Sequence, residues 1–287
     1  MTGVVARAAL YGRMIKFSHS VFALPFALAS AALAARQGFR WGQIGWILVA
    51  MVGARSAAMG FNRLADHAID ARNPRTAGRE LPAGRLSRGE VWAFVLISAA
   101  ALLVAAWRLS PLCLALAPLA LLVVFGYSYT KRFTPLSHLF LGLGLALAPV
   151  GAWLAIRGSI ALPPLVLGLA VLAWVAGFDT IYACQDVDFD RRHGLHSLPA
   201  RLGVRRALAV ARLLHALAVG LLAALYWAAP LHAGYIAGVA LVALLLVYEH
   251  SLVRHDDLSR VDAAFFTVNG WISLGYLGIT LLAVTLA

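Results

Sequence analysis

The sequence predicts an all-α, polytopic membrane protein of about nine transmembrane helices, and three observations predict it. Hydrophobic residues make up 62% of the 287-residue chain and charged residues 13%, about half the charged share of a soluble domain. Mean hydropathy is +0.83. Apolar runs of about 18 residues or more, long enough to cross a bilayer, follow one another almost to the C-terminus.

The spans read as 17–36, 43–66, 89–108, 111–130, 136–156, 163–184, 206–228, 232–252 and 264–286. The first follows Arg7, Arg13 and Lys16 and contains Ala32-Leu33-Ala34, which resembles a cleavage site. A signal peptide and a first membrane helix share those flanks, and the run reads as a retained span. The second ends in NRLADHAID, followed by the basic loop ARNPRTAGRELPAGR. Only the turn at Ser110-Pro111 separates the third from the fourth, which ends in YSYTKRFT. The fifth leads to the sixth, which ends in DTIYACQDVDFD, and three more apolar runs complete the chain. Cys113 and Cys184 fall in spans, make no disulfide or ligand framework, and read as small core residues.

The net charge of +12 would suggest nucleic acid in a soluble protein. In a polytopic chain it reads instead as cytoplasmic loops facing anionic lipid, so the bilayer is the expected partner. No nucleic acid and no obligate protein partner is expected. With the N-terminus inside, only Arg36, Arg40, Arg108 and Arg157 fall outside, and Arg55 falls within a span, of 24 Lys and Arg residues. That is a positive-inside pattern for the inner (cytoplasmic) membrane. All 12 acids fall on the same side, which the rule does not require, so the polar chemistry is one-sided.

Asp66 and Asp186 each end a span, precede a basic loop and are followed by three more spans. The chain therefore reads as one domain, 1–287, of two pseudo-repeated halves (about 43–156 and 163–286) after helix 17–36. At about 100° per residue, Asn62, Asp66 and Asp70 share an arc of roughly 80°, and Asp179, Asp186 and Asp190 one of roughly 40°, with Tyr182 beside them. Asp188 points away and reads as a solvated charge. A bland reading makes each cluster a helix end, with Asp66 paired to Arg63. Two clusters at equivalent positions weigh against it, because like charges four apart repel and membrane carboxylates need compensation. Mg²⁺ is the natural compensator, being held by one or two carboxylates plus substrate phosphates. Arg72 and Lys131 sit where cations would meet a diphosphate.

NRLADHAID matches the NxxxDxxxD pattern, and DTIYACQDVDFD the DxxYxxxDxxxD pattern, of the UbiA superfamily of intramembrane aromatic prenyltransferases. The chain resembles that superfamily from Lys16 to the last span, with YSYTKRFT and RELPAGRLS included. It is most similar to the 4-hydroxybenzoate polyprenyltransferase branch and to relatives that prenylate a dihydroxynaphthoate. The resemblance implies a UbiA-like bundle and transfer of a polyprenyl group from its diphosphate to a ring carbon of an aromatic acid, in ubiquinone or menaquinone biosynthesis. It implies one Mg²⁺ on Asn62, Asp66 and Asp70 and a second on Asp186 and Asp190, with Lys131 and Arg72 on the diphosphate. Lys16 occupies the family's basic position near the first helix, where it meets the acceptor's carboxylate or the diphosphate, or snorkels. Asp179 orients or deprotonates a phenol beside Tyr182, or makes a buried interhelical hydrogen bond. Haem farnesylation and lipid ether formation are the alternatives within the superfamily. A cation- or proton-coupled transporter is the alternative outside it, but would place ionisable groups near the midplane.

Overall fold

The computed structural model describes residues 3–16, 22–36, 38 and 40–287, and every regular element among them is helical. In order these are α1 (Gly3–Met14), α2 (Leu24–Ala35), α3 (Trp41–Ala65), α4 (His67–Arg72), α5 (Arg88–Leu109), α6 (Pro111–Thr130) and α7 (Ser137–Arg157). There follow α8 (Leu162–Ala183), a 3₁₀ turn (Cys184–Asp186), α9 (Val187–Arg192), α10 (Leu198–Leu202), α11 (Val204–Ala228) and α12 (Gly234–Ser251). A π-helical turn (Ala263–Val268) leads into α13 (Asn269–Thr285).

Eight of the described helices are long and apolar enough to cross a membrane, and they match the second to ninth predicted spans. The first predicted span is the exception. Within it the described helix, α2, has 12 residues, or about 18 Å of helix. Residues 17–21, where that span is expected to begin, lie outside the described residues. Helix α1 has no counterpart in the sequence reading. The chain reaches its cluster with Met14 and Ile15, buried against Leu64, Leu81 and Val91, while Arg7 pairs with Glu90 on the exposed side.

Small residues let the helices close on one another, as membrane bundles require. A Cβ on Gly142 of α7 would lie 2.4 Å from the Leu172 carbonyl of α8, and one on Gly53 of α3 would lie 2.8 Å from the Ser98 carbonyl of α5. Helix α8 is the most buried span and packs against α7 and α11. Ser110 ends α5 and caps α6, accepting from the Cys113 amide at 3.1 Å, so the short Ser110-Pro111 division holds.

Both motif helices break at an aspartate. Helix α3 stops at Ala65 and Asp66 sits at φ −94°, ψ 4°. Helix α8 gives way to the 3₁₀ turn, and Asp186 sits at φ −102°, ψ 6°. This is the bridge region that joins turns. The single-helix arcs drawn from the sequence therefore do not run through the motifs, and each motif turns a corner instead. Asp188 is exposed, as expected.

Candidate active site

Between the two motif corners opens a cavity of about 550 Å³. Its polar end gathers Asn62, Asp66, Asp70, Asp179, Asp186 and Asp190 with Lys16, Arg75, Arg79 and Lys131. Past Arg55 its other end is apolar and runs between α3, α5, α6 and α7, by Met51, Leu102, Ala106 and Ala148 to Ile47, Leu109 and Cys113. About 28 Å of helix separates Ile47 from Asp66 at the end of α3. The cavity thus joins an ionic mouth to a deep hydrocarbon channel.

At the first motif, Lys131 Nζ donates to Asp66 Oδ2 at 2.6 Å and Asn62 Nδ2 to the same oxygen at 3.2 Å. Asp66 Oδ1 is buried with no hydrogen-bond partner; the Arg132 guanidinium stands 3.6 Å from it, within ion-pair range but too far for a hydrogen bond. Arg63 is engaged elsewhere, donating to the Met14 carbonyl and to Asn62 Oδ1, so the Asp66–Arg63 pair of the bland reading does not form and Lys131 takes its place. Asp70 is straddled by Arg79 Nη1, at 2.8 and 2.7 Å from its two oxygens.

At the second motif, Asp186 is gripped from the first motif's loop. Arg75 Nε donates to Oδ1 at 3.0 Å and Nη2 bonds Oδ2, while Asn73 Nδ2 adds a bond at 3.2 Å. The Arg75 guanidinium also lies over the Tyr182 ring, 5.4 Å from its centroid. Asp190 accepts from Ser197 Oγ at 2.8 Å.

Two groups flank this ionic cluster. Asp179 Oδ2 lies 2.7 Å from His138 Nδ1. His138 Nε2 accepts from the Leu198 amide at 3.4 Å, which assigns the proton to Nδ1 and aims it at Asp179. Lys16 lies in the turn two residues past α1, with φ 47°, a left-handed conformation uncommon outside glycine. Burial, then the guanidinium groups of Arg79, Arg63 and Arg75, pull its ammonium down to about 8.

Paired acidic corners, a cationic rim and a long apolar channel in one cavity agree with the motif resemblance, and comparison with known proteins decides the family. Residues 23–275 match the model of the UbiA prenyltransferase family. The chain belongs to that family. It is 33% identical over 220 residues to a 4-hydroxybenzoate octaprenyltransferase of Tolumonas auensis, covering 77% of this chain and 76% of that one. A solved UbiA homologue from Aeropyrum pernix is 35% identical, with TM-score 0.80 over 93% of this chain and 97% of that one. A UbiA homologue from Archaeoglobus fulgidus, solved bound to GPP and Mg²⁺, shares the fold at 21% identity, TM-score 0.77, with 96% and 99% covered. The UbiA-like helical bundle and the prenyltransferase class expected from the motifs therefore hold.

In this UbiA-family chain Arg72 is exposed and does not line the cavity. Arg75 and Arg79 line it instead, because the loop bends at Asn73, whose Oδ1 accepts the Arg75 amide at 3.0 Å. Sequence reasoning missed Asn73, Ser197 and His138. Only His138 leaves a trace in the sequence, as a histidine one residue into an otherwise apolar span. Cys113 lines the channel and Cys184 is buried, so only the latter is a core residue.

The donors fit a hard divalent cation: carboxylate oxygens at both corners, one of them buried without a hydrogen-bond partner, and a cationic rim that leaves room for substrate oxygens to complete the shell. Among the described residues no three acidic, histidine or cysteine side chains group closely enough to hold a metal ion by themselves. Asn62 faces Asp66 with its amide nitrogen, so it offers oxygen only after turning from Arg63.

Proposed function

We propose that this prenyltransferase moves a polyprenyl group from its diphosphate to a ring carbon of an aromatic acid of the 4-hydroxybenzoate type, with Mg²⁺, in quinone biosynthesis. One observation carries the reading: a single cavity joins the carboxylate corners to an apolar channel that reaches Ile47, about 28 Å of helix from Asp66, as a substrate with a diphosphate head and a prenyl tail requires.

The residues divide the work. Asp66 and Asp70 with Asn62, and Asp186 with Asp190, would hold Mg²⁺; when bound, it neutralises charge on the departing diphosphate. Lys131, Arg75 and Arg79 exchange their present carboxylate partners for diphosphate oxygens. The allylic C–O bond breaks with its electron pair leaving on the diphosphate. An electron-rich ring carbon then forms the new C–C bond to the allylic carbon and gives up its proton to the departed diphosphate. Asp179, held by His138, accepts the acceptor's phenolic hydrogen and keeps the ring electron-rich. Lys16 meets the acceptor's carboxylate, and Tyr182 stacks beside it. The apolar channel holds the tail and keeps water from the cation.

The matching backbone corners at Asp66 and Asp186 support the reading of two related halves. The loops of the motif end carry most of the basic residues, which supports an inner-membrane protein with that end cytoplasmic. Membranes containing the protein, given labelled geranyl diphosphate and Mg²⁺, should prenylate 4-hydroxybenzoate. A dihydroxynaphthoate supplied in competition reports which quinone route the enzyme serves. Product only with haem or a glycerol phosphate acceptor would replace this reading.

A further inference from the structure

Four helices close on a group of buried polar side chains that prenyl transfer leaves without a task. Glu249 of α12 and Asn269 of α13 are wholly buried, and Trp174 of α8 nearly so. The Asn269 amide is held at both ends. Trp174 Nε1 donates to its Oδ1 at 2.7 Å, and its Nδ2 donates to Glu249 Oε1 at 3.0 Å. The same Nδ2 lies 3.1 and 3.3 Å from the carbonyls of Ala264 and Phe265. Behind Trp174, His215 of α11 bonds the Trp174 carbonyl through Nε2 at 3.1 Å. Gly177 makes room for that imidazole, since a Cβ there would fall 2.2 Å from its Cδ2.

The two carbonyls belong to the π turn Ala263–Val268. Such turns interrupt the α-helical hydrogen-bond ladder and occur frequently at functional sites. This one brings Phe265 to the lining of the cavity and sets Phe266 beside it. Phe265 packs on Tyr182 with centroids 4.1 Å apart and edge-on against Phe178 at 5.2 Å. The Lys16 ammonium lies 5.6 Å from the Phe266 centroid. The turn therefore touches both residues assigned to the acceptor.

We infer that Asn269, clamped by Glu249 and Trp174, is the positioning residue that holds the π turn, and with it Phe265 as one wall of the acceptor pocket and Phe266 as the support of Lys16 and Tyr182. This rests on the reading that the acceptor lies at the Lys16–Tyr182 end. Aromatic walls suit a planar ring. Glu249 contributes through its hydrogen bond alone: without that acceptor only the Trp174 bond orients the amide, and its hold on the π turn weakens. Its second oxygen, Oε2, has no hydrogen-bond partner and lies 3.9 Å from His215 Nδ1, so a glutamine amide fits the same space.

Steady-state kinetics of the full chain in membranes, varying 4-hydroxybenzoate and geranyl diphosphate separately, tests this. Glu249→Leu should raise the acceptor KM about tenfold, the scale of one buried hydrogen bond, and leave the prenyl diphosphate KM alone. Glu249→Gln should behave as wild type, and Trp174→Phe should shift the acceptor KM in the same direction by less. Hydrogen exchange over residues 263–270 should speed up in Glu249→Leu and not in Glu249→Gln. An unchanged acceptor KM in Glu249→Leu and Trp174→Phe, or equal rises in both KM values, overturns the inference and leaves the site reading standing. If Glu249→Leu does not accumulate, Trp174→Phe and Glu249→Gln decide. Absence of turnover in wild type overturns the acceptor reading, and hydrogen exchange then decides whether Glu249 holds the turn.

Discussion

Arg75 reaches across 111 positions of sequence to bond both oxygens of Asp186, so the loop of the first motif supplies the cation of the second. The pair is a two-pronged guanidinium–carboxylate contact, and Asn73 beside it bonds the same carboxylate. The motifs are thus one site, joined before any substrate binds.

Removing this cation should show in prenyl diphosphate use. Arg75→Ala is expected to lower kcat/KM for geranyl diphosphate by about ten- to a hundredfold, the scale of charge-assisted hydrogen bonds. Arg75→Lys should recover only part, because lysine lacks the planar fork. Arg72→Ala, at an exposed position outside the cavity, should leave turnover near wild type. Equal losses at both arginines would contradict the placement.

If Lys16 meets the acceptor's carboxylate as proposed, it should set a pH limit on acceptor use. With its ammonium pulled down to about 8, it is charged below that pH and loses its proton as pH rises through it. Because kcat/KM reports the free enzyme, the value for 4-hydroxybenzoate should fall above about pH 8. Lys16→Arg should keep the charge and remove the fall. Lys16→Met should lower the neutral-pH value and flatten the profile. An unaltered profile in Lys16→Met would remove Lys16 from the acceptor site.

His138 holds Asp179 through Nδ1. His138→Ala should lower kcat about tenfold, a loss of order 1.4 kcal/mol, without raising the prenyl diphosphate KM. His138→Asn, whose amide nitrogen sits near the place of Nδ1, should restore part of the rate. Failure of that rescue would point to a packing role.

Cys113 lines the far end of the channel. Cys113→Trp should block that end and favour short prenyl diphosphates over long ones, measured by competition between the two. The same preference in both proteins would mean that the tail leaves the channel before Cys113.

The spans were legible because hydropathy and charge asymmetry are properties of whole runs, and they survive errors at single residues. The acids of NRLADHAID and DVDFD were legible for a different reason: carboxylates at lipid depth demand a compensator. The corners at Asp66 and Asp186 were hidden, because ordinary helix-forming residues flank both and the break serves tertiary contacts. The choice of Arg75 and Arg79 over Arg72 depends on the loop's path, which Asn73 sets by a bond invisible in spacing. His138 and Asp179 lie 41 residues apart on different helices, and nothing local links them. Glu249 looked like another loop-side acid, yet it is wholly buried because Asn269, 20 positions on, takes its hydrogen bond.

The most direct measurement of the central claim is Mg²⁺-dependent prenylation of 4-hydroxybenzoate by membranes carrying wild type, Asp66→Ala, Asp190→Ala or Asp188→Ala. Wild type should form product that a chelator abolishes and Mg²⁺ restores. Asp66→Ala and Asp190→Ala should lose at least about a hundredfold in rate, while Asp188→Ala, whose side chain is exposed, should stay close to wild type. Product formed without divalent cation, or equal losses in all three variants, would contradict the two-cornered carboxylate site.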